Sequence, residues 1–71
     1  MIVVDARAMR CPWPAIRLAR ALRGAQGQAV TLIADDPAAE REVTALATAQ
    51  GRTLSIARKG DVQEFHLAAT P

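Results

Sequence analysis

The chain has 71 residues, a length that predicts a single domain over residues 1–71. Hydrophobic residues make up 51% of it and charged residues 23%, a composition that excludes a disordered polyelectrolyte. The net charge of +2 is too small to indicate direct nucleic-acid binding. Because so small a domain buries only a modest core, we expect function at its surface and not in a deep pocket.

The first strand and the first helix are predicted from a β-branched run and a pair of prolines. The β-branched run favours a strand over residues 2–6. Pro12 and Pro14 fit the first turn of a helix, where backbone N–H groups have no partner within the helix. We therefore expect a helix over about residues 11–23, with Gly24 just beyond its end.

The second half of the chain predicts a strand, a helix and a hairpin. The apolar run 29–34 is typical of a buried strand. Asp36 is the expected N-cap of a second helix, which ends at Gly51. Alternating residues then predict a hairpin of two strands, over residues 53–58 and 62–68.

The resulting order, βαβαββ, predicts an α/β (α+β) fold. One crossover joins two parallel strands, and the hairpin completes the sheet. We expect a two-layer sandwich in which a four-stranded mixed sheet carries two helices on one face.

Cys11 is the only cysteine, so no internal disulfide can form. The N-terminus lacks the basic start and long apolar run of a signal peptide, and no stretch approaches the roughly 20 apolar residues that span a membrane. These features predict a cytoplasmic protein that needs no membrane. In a reducing compartment a lone thiol stays free for chemistry.

The predicted position of Cys11, at the start of a helix, favours an ionised sulfur. Free N–H groups and the helix dipole place partial positive charge there, and Arg7 and Arg10 are close in the sequence. We therefore expect an accessible cysteine with a lowered pKa, in the nucleophilic thiolate form. The alternative is a buried, inert cysteine, which is the commoner state of a lone cysteine in a small domain.

The segment from Asp5 to Pro14, with the sequence DARAMRCPWP, resembles the D-x-x-G-x-x-C-P-x-P signature of the TusA/SirA-like sulfur carrier family. The run ADDP, residues 34–37, follows in the order that the family shows. The resemblance covers essentially the whole chain. It implies that Cys11 accepts sulfane sulfur as a persulfide and passes it to the cysteine of a partner protein.

The resemblance also implies roles for neighbouring residues and for partners. The residues expected to support the reactive cysteine are Arg10, Pro12, Pro14 and Asp36. The donor would be a cysteine desulfurase or a rhodanese-like protein, and the acceptor a downstream protein. Such a carrier is more a stoichiometric relay than a turnover enzyme. We expect no cofactor and no metal, since one cysteine and one histidine cannot build a closed zinc site.

Two departures from the family pattern have consequences. Ala8 stands where the family usually has glycine, which predicts a less unusual backbone conformation in the loop before Cys11. Residues 65–71 lack the basic ending of the members that thiolate tRNA, which weakens an assignment to tRNA modification in particular.

A possible docking surface lies on the first predicted helix. Trp13, Arg17 and Arg20 share one side of it, opposite the apolar stripe that contains Leu18 and Leu22. Exposed tryptophan and arginine are common anchors of protein interfaces. The alternative for the same residues is an ordinary solvated face, with Trp13 packed on a neighbouring loop.

Two other functions fit the sequence less well. One is a non-catalytic regulatory or interaction module that binds a protein or RNA through its basic first helix. The other is a redox sensor that forms a sulfenic acid at Cys11, for which the chain offers no resolving cysteine. For the sulfur carrier we expect a monomer, because a monomer suits docking with successive partners.

Overall fold

The computed structural model describes residues 2–70 of the chain. Its strands and helices follow the predicted order and are β1 (Ile2–Ala6), α1 (Trp13–Ala25), β2 (Val30–Ala34), α2 (Ala39–Ala49), β3 (Leu54–Lys59) and β4 (Val62–Leu67). Neither helix is long and apolar enough to cross a lipid bilayer.

The four strands form one mixed sheet in the order β1-β2-β4-β3. β1 runs parallel to β2, with Val4 opposite Leu32. β4 is antiparallel to both of its neighbours, so that Phe65 lies between Leu32 and Ile56. β1 and β3 are the edge strands. The mixed sheet predicted from the sequence is confirmed.

The core lies between the sheet and both helices. Alternate strand residues such as Val4, Leu32 and Phe65 are buried together with Leu18 of α1 and Val43 of α2. Because side chains alternate across a strand, these residues all belong to one face of the sheet. Both helices therefore cover that face, which confirms the two-layer sandwich.

The first helix begins and ends later than predicted. Its N-cap is Pro12, and Cys11 precedes it in the connecting turn. The prediction of Cys11 at the helix start was wrong by two residues, because the N–H of Trp13 bonds to the carbonyl of Arg10 and closes a separate turn. At the other end Gly24 lies inside α1, and Gln26, with a φ of 51°, takes the left-handed conformation instead.

The second helix also starts later than predicted, although Asp36 does organise its start. Its N-cap is Ala38, and a turn over residues 37–38 precedes it. Asp36 accepts the N–H of Ala38 through Oδ1 at 3.0 Å and the N–H of Ala39 through its carbonyl at 2.9 Å. Asp36 therefore caps this turn and not the α-helix itself.

Candidate functional site

The candidate site lies where the loops after the two parallel strands meet. β1 and β2 end in register, with Ala6 opposite Ala34. The loop that carries Cys11 follows β1, and Asp35 and Asp36 follow β2. Parallel strands place such loops at the same end of the sheet, so residues far apart in sequence become neighbours.

Two aspartates hold the Cys11 loop through its backbone. Asp36 Oδ2 accepts the N–H of Cys11 at 2.7 Å, while its other oxygen holds the turn before α2. Asp35 accepts the N–H of Ala8 through both carboxylate oxygens, at 3.0 and 2.9 Å. The pair therefore fixes both the start of the loop and the cysteine itself.

Ala8 has a left-handed backbone conformation, although an alanine at this position predicted an ordinary one. Its φ is 66°, in the left-handed region where a β-carbon is costly. The expectation of an ordinary backbone there was wrong. The bonds from the Ala8 N–H to Asp35 hold the loop in this conformation.

Cys11 is a free, partly buried cysteine whose surroundings favour the thiol. Partial burial raises its pKa, and the charge of Glu42, a hydrogen bond with Glu42 and the charge of Asp36 raise it further. The prediction of a lowered pKa was therefore wrong. It considered the dipole and the arginines near Cys11 in sequence, whereas the acids at the start of α2 are near it in space.

The two arginines expected to favour a thiolate act on carboxylates, Arg7 by direct contact and Arg10 through its charge. Arg7 forms a salt bridge with Asp5 at 2.9 Å and holds the pKa of that carboxyl at about 2. The pKa of Asp36 is lowered by its bonds to the N–H groups of Ala38 and Cys11, and also by the charge of Arg10. Arg10 therefore acts on the acid that supports Cys11.

The residues Trp13, Arg17 and Arg20 come together beside this loop. They line an open groove of roughly 680 Å³ between α1 and the edge strand β1. Val3 and Ile16 line it too and were not singled out in the sequence. We call this the β1–α1 groove.

Comparison with known proteins relates the fold and site to a family. The family described as sulfurtransferase TusA matches residues 2–68. The chain belongs to the TusA family. The protein is also similar to the crystal structure of a SirA-like protein from Desulfitobacterium hafniense, with a TM-score of 0.88, 28% sequence identity and 100% coverage of both chains. These findings confirm the resemblance found in the sequence, and membership of the TusA family supports a role in sulfur transfer.

The sequence analysis did not identify Glu42, an acidic neighbour of Cys11 in this TusA-family protein. Glu42 lies in the first turn of α2, together with Glu40. The available signal was the order of elements, which brings the start of α2 to the same end of the sheet as Cys11. Within residues 2–70, no cluster of three histidine, cysteine, aspartate or glutamate side chains could hold a metal ion.

Proposed function

We propose that this protein is a sulfur carrier that accepts sulfane sulfur on Cys11 and passes it to the cysteine of a partner protein. The observation that carries the proposal is a single free cysteine, partly exposed, fixed by Asp36 at the end of the sheet in a chain of the TusA family. A partly exposed sulfur on a loop can be approached by two partners in turn.

Each half of the relay is a displacement at sulfur without net oxidation. The Cys11 thiolate attacks the outer sulfur of a donor persulfide, and a new S–S bond forms as the S–S bond of the donor breaks. The donor leaves as a thiolate and takes up the proton that Cys11 gave up. In the second half an acceptor thiolate attacks the outer sulfur, and Cys11 leaves as a thiolate.

The raised pKa of Cys11 has a place in this scheme. A thiol held protonated reacts slowly with oxidants and stray electrophiles, because the thiolate is the nucleophile. Loading then depends on a docked donor that shifts Cys11 toward the thiolate. This protects the site between transfers.

The partners follow from the chemistry. We propose a cysteine desulfurase or a rhodanese-like protein as donor and a downstream protein cysteine as acceptor. The chain would act in the cytoplasm as a monomeric single domain, without cofactor, metal or direct nucleic-acid contact. A reducing compartment keeps a lone thiol available.

The test is the intact mass of the protein after incubation with a cysteine desulfurase and cysteine, or with a small persulfide donor, without reducing agent. We expect a gain of about 32 Da, one sulfur atom, as a persulfide. The control is Cys11→Ser, which should gain nothing under either condition.

The same experiment separates the relay from a non-catalytic interaction module. No added mass with either donor would remove the carrier function and leave the basic first helix as a binding surface. A gain of about 32 Da with the small donor alone would keep the chemistry of Cys11 and exclude the desulfurase as its donor.

A further inference from the structure

Exposed apolar residues of the described chain border one groove, with Trp13 and Ile16 on α1 and Val3 on the strand edge, where its side chain lies on the other face of the sheet from Val4. The large hydrophobic residues with substantial exposure are Val3, Trp13 and Ile16, at 56%, 61% and 43%. All three line the β1–α1 groove. Apolar residues scattered over a surface need no explanation, whereas a cluster beside a reactive group indicates a binding surface.

The floor of this groove is a strand edge whose outward backbone groups face no other strand. β1 has a neighbour, β2, on one side only. Ile2 donates its N–H to Ala29 at 3.1 Å, toward β2, so alternation along the strand turns the backbone groups of Val3 and Asp5 outward. Arg17 Nη1 reaches the carbonyl of Asp5 at 3.5 Å, which agrees with that direction.

The opposite edge of the sheet differs because its strand carries more charged residues. On β3, Arg58 pairs with Glu40 and Lys59 pairs with Glu64. Charged side chains on an edge strand discourage pairing with another chain. β1, by contrast, carries one charged residue, Asp5, and its exposed residue Val3 is apolar.

The charge of the β1–α1 groove indicates what it would bind. Arg17 and Arg20 lie along it, and its acidic residue, Asp5, is already paired with Arg7. A second copy of this chain, added edge to edge, would bring the arginines of both copies together. Like charges at an interface oppose association, so an acidic partner fits better.

We propose that the β1–α1 groove binds an extended, acidic segment of a sulfur-relay partner, which adds to the sheet as a strand beside β1. Its backbone would pair with the outward groups of Val3. Its apolar side chains would contact Trp13 and Ile16, and its carboxylates would meet Arg17 and Arg20. This proposal rests on the proposed function, since Met9 and Trp13 connect the groove to Cys11 and a bound segment would deliver its cysteine there.

The test joins a peptide to Cys11 by a disulfide, in the way a partner cysteine would approach it. The peptide has a terminal cysteine activated as a thiopyridyl disulfide, a glycine spacer and a run of alternating valine and glutamate as long as β1. It is made with the cysteine at either end, to cover both strand directions. The Cys11 thiolate attacks the peptide sulfur and thiopyridone leaves, so one disulfide replaces another and the release is followed by absorbance.

We expect the glutamate peptide to react about tenfold faster than a matched lysine peptide, because docking raises the effective concentration of its sulfur. Val3→Pro removes the outward N–H together with the valine side chain and should abolish the preference. Arg20→Gln should reduce it, whereas Arg23→Gln, on α1 but outside the groove, should not. If Val3→Pro does not fold, the same question is answered by hydrogen exchange in the unmutated protein joined to the glutamate peptide. We expect the Val3 amide to be protected from exchange in this conjugate.

Three results with the peptides would overturn the proposal, and a dimer of the free protein would be a fourth. The peptide results are equal rates for the two peptides, a preference that survives Val3→Pro in a folded protein, and an unprotected Val3 amide in the glutamate conjugate. A dimer that forms without peptide and protects Val3 would assign the edge to a second copy. Failure here with normal persulfide loading would leave the carrier function intact, whereas docking without loading would remove that function alone.

Discussion

The two helices of this protein begin at the same end of the sheet, yet their first turns differ in charge. α1 starts after Pro12 with no capping side chain and no acidic residue in its first turn. α2 starts after a turn capped by Asp36, and Glu40 and Glu42 lie in its first turn. Negative charge at a helix N-terminus is stabilising, so α2 satisfies its own dipole while α1 does not.

This difference explains why the thiol form of Cys11 is favoured. The cysteine precedes α1, but Asp36 holds its backbone, and burial and Glu42 raise its pKa. Asp36 and Glu42 both belong to the start of α2.

Removing Asp36 should have the largest effect. Asp36→Ala deletes the acceptor of the Cys11 and Ala38 N–H groups, so we expect a fall of several degrees in melting temperature. Because the pKa of Asp36 is lowered in the fold, this stabilisation is present at neutral pH and is lost as the pH falls through that lowered pKa. Asp61→Ala, in the exposed turn between β3 and β4, is the matched control for thermal unfolding. Equal losses in the two variants would show that Asp36 has no special role.

The second prediction concerns the charge at the start of α2. In Glu42→Gln the negative charge beside the thiol is gone, so the pKa of Cys11 should fall and more thiolate should be present near neutral pH. We expect severalfold faster alkylation there, with the rate profile displaced to lower pH. Glu40→Gln, in the same turn but paired with Arg58, should leave the profile in place. The explanation fails if both variants behave alike.

The third prediction concerns the loop between β1 and Cys11. Ala8→Gly removes a β-carbon from a residue with a φ of 66°. Relief of that strain, reduced by the greater freedom of glycine in the unfolded chain, should stabilise the protein by about 0.5–1 kcal/mol. Urea unfolding measures this directly, and a destabilised variant would contradict the strained loop.

The smallest effect on folding is expected at Trp13. Because this side chain is 61% exposed, Trp13→Ala should change the free energy of unfolding by less than about 1 kcal/mol. Loading from a desulfurase should instead require a higher carrier concentration, while loading from a small persulfide donor stays unchanged. A large loss of stability with normal loading would make Trp13 a packing residue and remove it from the docking surface.

The fold followed from sequence because its signals are local. Alternating runs define the strands, and the order βαβαββ leaves few topologies. The site was predicted only in part. Cys11 and Asp36 were identified in advance, since a cysteine followed by Pro-x-Pro and an Asp-Pro helix start are short-range patterns. Glu42 and the left-handed Ala8 were missed, because both depend on the meeting of two loops more than 20 residues apart in sequence.

The most direct measurement of the central claim follows the sulfur in both directions. The protein is loaded with labelled sulfur, separated from the donor and treated with excess thiol, while peptide mass spectrometry locates the label. We predict that the label lies on Cys11 alone and leaves as one equivalent of sulfide per chain. Label that is spread over other residues, or that thiol cannot remove, would contradict a relay through this cysteine.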